Sequence, residues 1–127
     1  MSSKSETEMQ VSFEDQQKIN KFARHNARLE DIMDELKAKE NELQALEDAE
    51  SDLLLSMEKD KVSYRIGDVF IFVTLDEAQE MIEEKKANVA TETKGLREKQ
   101  DTIKQMMSDL KVQLYAKFGN NINLEPE

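Results

Sequence analysis

The feature that most constrains this chain is a pair of apolar series, each with one residue every seven positions. The first series runs through Phe22, Leu29, Leu36 and Leu43, and the second through Leu75, Ile82, Val89, Leu96, Ile103 and Leu110. A helix with this repeat keeps one apolar stripe facing a partner helix while both helices supercoil. Because the two series occupy chain halves of similar length, we predict that the halves pair with each other as an antiparallel two-helix coiled coil.

Between the two series, residues 62–73 change from a helical to a strand pattern. Apolar and polar residues alternate from Val62 to Ile66, Gly67 and Asp68 suit a two-residue turn, and every residue from Val69 to Val73 is apolar. We predict a β-hairpin here, in a chain that is otherwise mainly α. Because the second strand is apolar on both faces, its outer face needs a cover from another chain. The hairpin therefore predicts an obligate oligomer.

Polar capping residues delimit the predicted elements. Ser12, with Asp15 three residues later, is suited to begin the first helix, and Thr74 with Glu77 forms a capping box for the second. Gly119 is suited to end the second helix in a left-handed conformation. The predicted boundaries are a disordered N-terminal tail at 1–10, a single domain at 11–119 and a flexible C-terminal tail at 120–127, with helices at about 13–57 and 75–118 and the hairpin at about 62–73.

Antiparallel pairing of the two series predicts a register. Four apolar layers coincide when the paired residue numbers sum to 132, which brings together Phe22 with Leu110, Leu29 with Ile103, Leu36 with Leu96, and Leu43 with Val89. The remaining seam positions of the first helix are expected at Asn26, Met33, Glu40 and Glu47. Leu46 and Leu53 fall outside this phase, so we expect the supercoil to loosen there.

The composition restricts the kinds of partner. The chain has 18 basic and 28 acidic residues, for a net charge of -10, and 36% of its residues are charged. Binding to a phosphate backbone or an anionic membrane needs clustered Lys and Arg, so we predict neither nucleic acid nor membrane as a partner. The whole-chain charge favours basic protein surfaces, or basic stretches of an unfolded protein.

Residues suited to catalysis are few. The chain has no Cys, and His25 is its single histidine, which we interpret as a helix-surface residue because it has no convergent partners. We predict that the chain is not an enzyme and uses no cofactor or metal. The N-terminal MSSKSETEMQ lacks the apolar segment of a signal peptide, and no apolar run is long enough to span a bilayer. These features predict a cytosolic location, and the sequence leaves a nuclear pool open.

Apolar residues also gather at the open end of the predicted coiled coil. This predicted tip consists of Val11, Phe13, Ile19, Phe22, Leu114, Tyr115 and Phe118. It either closes the end of the coil as a small apolar plug or forms a partly exposed binding patch. Met106 and Met107 lie nearby, where packing is one interpretation and adaptable apolar binding is the other.

Three strings in the sequence resemble one family. YRIGDVF spans the predicted turn at 64–70, VSFEDQQKINKFA opens the first helix at 11–23, and LKVQLYAKFG closes the second at 110–119. Together with the order helix, hairpin, helix, they resemble the β-type subunits of prefoldin. The resemblance covers residues 11–125.

This resemblance implies an ATP-independent co-chaperone. Prefoldin is a hexamer of two α-type and four β-type subunits, whose hairpins form β-barrels and whose coiled coils hold unfolded actin and tubulin for the cytosolic group II chaperonin. The resemblance implies that the predicted tip faces client or chaperonin, and that the hairpin assembles with other subunits. The implied assembly residues are Tyr64, Ile66, Gly67, Val69, Phe70, Ile71, Phe72 and Val73. The alternative hypothesis is a structural coiled-coil adaptor that tethers folded partners.

Overall fold

The chain forms two long helices joined by an antiparallel β-hairpin, as the sequence predicts. The computed structural model describes residues 11–55, 62–122 and 124, without the side chains of Phe70, Ile71 and Asn120. The elements are α1 (Phe13–Leu54), β1 (Val62–Ile66), β2 (Val69–Val73), α2 (Leu75–Phe118) and a 3-10 helix (Gly119–Asn121). The predicted N-terminal tail and the predicted end of the first helix lie outside the described residues. Within the described residues, no helix has a stretch long and apolar enough to cross a membrane.

Reciprocal hydrogen bonds begin both helices. The Asp15 N–H donates to Ser12 Oγ and the Ser12 N–H donates to an Asp15 carboxylate oxygen, each over 3.1 Å. At the start of α2, the Glu77 N–H donates to Thr74 Oγ1 over 3.1 Å, and the Thr74 N–H donates to Glu77 Oε1 over 3.4 Å. These bonds satisfy backbone donors that the first turn leaves unpaired, so the sequence signals for the two helix starts are confirmed.

Two glycines adopt the left-handed conformation at the places where the chain changes direction. Gly67 has φ 59° in the hairpin turn, and Gly119 has φ 57° immediately after α2. The hairpin pairs Val62 with Val73 and Ile66 with Val69. Beyond α2, the 3-10 helix Gly119–Asn121 includes the first two residues of the predicted C-terminal tail.

The described elements divide into two compact units, each containing parts of both helices. The terminal unit comprises residues 1–34 and 97–127, and the hairpin unit comprises Glu35–Leu96. In the terminal unit, the largest fully buried side chains are Ile32 and Leu114. In the hairpin unit, Leu53, Ala78 and Ile82 form a core cluster, and partly buried hydrophobic residues of both strands pack against it.

The second core series of α1 differs from the prediction by one position. Met33 was expected in the seam but is 53% exposed, whereas the neighbouring Ile32 is completely buried. Counting in sevens from Ile32 leads through Lys39 to Leu46 and Leu53. These two leucines pack in the hairpin-unit core, so they continue this series and do not mark a slip in its phase. The predicted seam residues themselves are buried or half-buried, namely Leu29, Leu36, Leu43, Ile82, Val89, Leu96, Ile103 and Leu110.

Candidate assembly and client-binding surfaces

The hairpin exposes a set of apolar side chains. Ile66, Val69 and Phe72, which we call the hairpin surface, are 55%, 61% and 75% exposed. At the end of α1 in the same unit, Leu54 and Leu55 are also exposed. Large apolar side chains clustered at this density are uncommon on the surface of a monomeric protein and are typical of an interface.

By the pairing register, Ile66 and Val69 share one face of the hairpin with Val62, Tyr64 and Val73, whereas Phe72 lies on the opposite face. The shared face packs only partly on the helices of its own unit. Val62, Tyr64 and Val73 are half-buried, and Lys85 lies over the Tyr64 ring with its Nζ 5.3 Å from the ring centroid. A cleft of about 440 Å³ lies beneath β1, and its lining includes Leu46, Val62 and Tyr64. Among the predicted assembly residues, the side chains of Phe70 and Ile71 lie outside the described part of the structure.

The terminal unit separates the predicted tip residues into buried and exposed sets. Phe22, Leu114 and Phe118 are 5%, 1% and 5% exposed, because they pack between the two helices. Phe13 is 79% exposed and Val11 is 49% exposed. The remaining two predicted tip residues, Ile19 and Tyr115, are half-buried. The buried set closes the end of the coil, and the exposed set offers an apolar surface, whose use in binding stays a prediction.

An ion pair across the terminal unit was not predicted. Asp15 is 5% exposed, and Lys117 Nζ donates a hydrogen bond to its carboxylate. This bond, together with the hydrogen bonds from Ser12, lowers the pKa of Asp15 to about 2. The pairing joins the first turn of α1 to the last turn of α2, and its residue numbers have the same sum as the predicted apolar layers.

Lysines also lie near the seam of the hairpin unit. Lys39 Nζ is 2.5 Å from Glu92 Oε2 on the facing helix, and the hydrogen bond to Glu92 raises the pKa of Lys39. Lys86 Nζ is 3.3 Å from Glu50 Oε1 across the helices and 4.0 Å from Glu83 Oε1 on its own helix. The charged pairs thus connect the two helices at places where the apolar series is interrupted.

The carboxyl groups of Glu50 and Glu83 influence each other's ionisation. A hydrogen bond with Glu83, and next one with Lys86, lower the pKa of Glu50. The hydrogen bond with Glu50 and its negative charge raise the pKa of Glu83. Two like charges on facing helices oppose each other, so the carboxyl group that is further from Lys86 retains its proton to a higher pH.

The described residues contain no arrangement that favours metal chemistry. No group of three or more His, Cys, Asp or Glu side chains among them is placed to hold a metal ion. His25 is half-buried, and its Nε2 atom has no hydrogen-bond partner within the described structure. The surfaces that remain to explain are therefore apolar and charged ones, suited to binding other proteins.

Comparison with known proteins shows the family to which the chain belongs. A family model described as "Prefoldin subunit" matches residues 16–121. The chain belongs to the prefoldin subunit family. Among curated prefoldin relatives, Prefoldin subunit 4 of Homo sapiens is 48% identical over 121 residues, which cover 94% of this chain and 90% of that protein. Prefoldin subunit 4 of Saccharomyces cerevisiae is 39% identical over 116 residues, covering 91% of this chain and 90% of that protein.

A solved prefoldin structure shows the same fold. The crystal structure of the prefoldin beta subunit from Thermococcus strain KS-1 superposes with a TM-score of 0.76 at 14% sequence identity. The superposition covers 87% of this chain and 96% of that chain. Membership in the prefoldin family assigns a chaperone role to the chain, in agreement with the expectation from its sequence.

Proposed function

We propose that this chain is one subunit of a hetero-hexameric, ATP-independent co-chaperone, assembled with other α-type and β-type prefoldin subunits. The observation that carries the proposal is the 48% identity to Prefoldin subunit 4 of Homo sapiens, in an alignment that covers 94% of this chain. The hairpin surface supports it, because apolar side chains exposed on a two-stranded sheet are unfavourable in water and are stabilised by burial against neighbours. In this proposal, the hairpins of neighbouring subunits complete a shared β-barrel.

The proposal extends to clients. Unfolded actin and tubulin bind at the terminal unit and are delivered to the cytosolic group II chaperonin, without catalysis or a cofactor in this chain. The exposure of Val11 and Phe13 supports client contact at these positions. Phe22, Leu114 and Phe118 have a supporting role, since they are packed inside the terminal unit. The proposed compartment is the cytosol.

Assembly is tested by native mass spectrometry of the tagged chain, recovered gently from the cytosol of its own cells. We expect a complex of six small chains of the prefoldin family. Phe72→Ser should prevent assembly, because it removes apolar surface worth about 1.5–3 kcal/mol of burial and introduces a hydroxyl group. Asp68→Asn, in the exposed turn, is the matched control and should assemble normally. Recovery with one folded partner would instead support the adaptor hypothesis.

Client capture is tested with the assembled hexamer and denatured actin. Phe13→Ser should leave assembly intact and weaken the suppression of actin aggregation, because Phe13 is exposed and its loss opens no cavity. Phe118→Ser, at a buried position, should instead destabilise the terminal unit. Transfer of labelled actin to the chaperonin without added nucleotide measures delivery. If Phe13→Ser hexamers hold actin as wild type does, the proposed contact at Phe13 is wrong.

A further inference from the structure

The net negative charge of the chain is concentrated in the hairpin unit. Residues 35–96 contain eight Lys and Arg and sixteen Asp and Glu. Residues 1–34 and 97–127, which make up the terminal unit, contain ten Lys and Arg and twelve Asp and Glu, so they carry a much smaller net charge. The expectation of basic partners, which follows from the whole-chain charge, therefore applies to the hairpin unit and does not extend to the terminal unit.

Within the terminal unit, a groove of about 230 Å³ runs between the two helices. Its lining consists of Phe22, Leu29, Lys104, Met107, Ser108 and Lys111. The apolar members come from both helices, and none of the six residues is acidic. The groove therefore offers apolar contacts beside basic side chains, in a chain that is acidic as a whole.

The two lysines are suitably placed to flank a ligand. Lys104 and Lys111 are seven residues apart on α2, so their Cα atoms are separated by about 10 Å along the helix. Lys111 Nζ lies 5.9 Å from the centroid of the Tyr115 ring. Lys104 is exposed and Lys111 is half-buried. Met107 lies between them, and its flexible thioether adapts to apolar side chains of different shape.

The groove is small and combines apolar side chains with two lysines, which suits the insertion of single apolar side chains beside acidic groups. An extended segment needs only to insert one or two apolar side chains, and carboxylates before and after them then lie near the two lysines. Such a segment matches both the apolar lining and the charge of the groove.

We propose that this groove binds apolar side chains of unfolded client segments that are flanked by Asp or Glu. The inference rests on the proposed client-binding function and adds a preference among clients. The exposed Phe13 provides apolar contact without regard to charge, whereas the groove selects acidic segments. The hexamer containing this chain therefore holds acidic unfolded proteins more tightly than basic ones of similar length through this subunit.

The test uses two labelled unfolded probes, carboxamidomethylated α-lactalbumin, which is acidic, and carboxamidomethylated lysozyme, which is basic. Hexamers contain the wild-type chain, the K104E/K111E variant, or the K37E/K94E control at two exposed lysines of the hairpin unit. We expect K104E/K111E to weaken binding of the acidic probe about tenfold at low salt, at about threefold for each charge. The difference should shrink in 0.5 M NaCl, because salt screens exposed charges. The control should bind both probes as wild type does.

A photo-crosslinker at Ser108 reads the groove directly, so the other five subunits cannot mask a loss. Benzoylphenylalanine at Ser108 should crosslink to the acidic probe, and the same group at the exposed Thr102 should crosslink much less. Met107→Ser should weaken the binding of both probes, because it removes apolar contact and leaves the charges of the groove in place.

Each contrary result has a separate meaning. Wild-type hexamers that bind neither probe contradict the proposed function itself. If wild-type hexamers bind both probes and K104E/K111E does not weaken binding of the acidic probe, only the proposal for the groove is contradicted. An equal loss of binding for both probes contradicts it as well. Binding of native α-lactalbumin as tight as that of the unfolded form assigns the groove to a folded acidic partner and overturns the proposal.

Discussion

The core residue at this level of α1 is Ile32 and not Met33, so we expect Ile32→Ala to lower the free energy of unfolding strongly. Ile32 is completely enclosed, and deletion of such a side chain costs about 2–5 kcal/mol, counting both lost burial and the cavity. Because the core between two helices is narrow, neighbouring side chains can partly fill the space left by the deleted atoms. We therefore expect a loss of about 2–3 kcal/mol in the free energy of unfolding. Met33→Ala is the matched control one residue away, at a position that is 53% exposed, and should change the free energy of unfolding by less than about 0.5 kcal/mol.

Urea unfolding of the purified chain, followed by circular dichroism at the helical band, measures both variants. With a denaturant slope of about 2 kcal/mol/M, Ile32→Ala should lower the urea midpoint by about 1–1.5 M at an unchanged slope. Ile32→Val, which removes one methylene group, should lower the free energy of unfolding by about 0.5–1.5 kcal/mol. Equal losses for Ile32→Ala and Met33→Ala, or a larger loss for Met33→Ala, would refute the assigned phase of the seam.

Three further predictions concern charge and backbone. In a carboxyl NMR titration, Asp15 should titrate near pH 2 in the wild type and at higher pH in Lys117→Gln. Since the folded pKa of Asp15 is lowered, its stabilising effect is lost as the pH falls from about 4 towards 2, and a wild-type midpoint near 4 would contradict the ion pair with Lys117. Because Glu50 raises the pKa of Glu83, ionised Glu83 lowers stability at neutral pH, and protonation removes this loss as the pH falls through the raised pKa, so Glu83→Gln should have a higher urea midpoint at pH 7 and a smaller change on acidification than the wild type. Gly95→Ala should stabilise α2 by about 0.8–1 kcal/mol in the same urea assay, because a Cβ atom there meets nothing within 4 Å; a loss of stability would show that the glycine is needed.

Local signals in the sequence predicted most of the fold. Thr74 and Glu77 lie three residues apart and bond to each other, so their effect on the helix start does not depend on distant residues. Gly67 and Gly119 likewise adopt a backbone conformation that a glycine favours wherever the chain must turn. The alternation of apolar residues in β1 and the apolar run of β2 then left a hairpin as the simplest connection between two helical repeats.

Features that depend on distant residues were predicted less well. The second core series of α1 was assigned to the wrong phase because Lys39 interrupts it, and a sequence pattern does not show that Glu92 neutralises this lysine. Asp15 and Lys117 are one acid and one lysine among many, and only the folded structure brings them together. Ile32 alone had a usable signal, because it precedes Leu46 and Leu53 by multiples of seven residues.

The candidate surfaces show the same limit. Phe13 and Phe118 are both aromatic residues near an end of a helix, yet one is 79% and the other 5% exposed. Composition and spacing do not distinguish them, because the difference arises from the direction in which each side chain leaves its helix. The preference for acidic segments was also hidden, since a single net charge averages over two units of different character.

The ion pairs between the two helices have a consequence for how the chain chooses its partners. Each of them holds a lysine of one helix beside an acid of the other, in the pairs Asp15–Lys117, Lys39–Glu92 and Glu50–Lys86. A helix from another protein with a similar apolar repeat but different charges would leave these partly desolvated groups unmatched, which disfavours its insertion. Self-recognition is thereby encoded along the helices, while the hairpin surface stays available to distinguish one neighbour from another. The charges along the helices and the apolar side chains of the hairpin thus govern two separate choices, pairing within the chain and association with other chains.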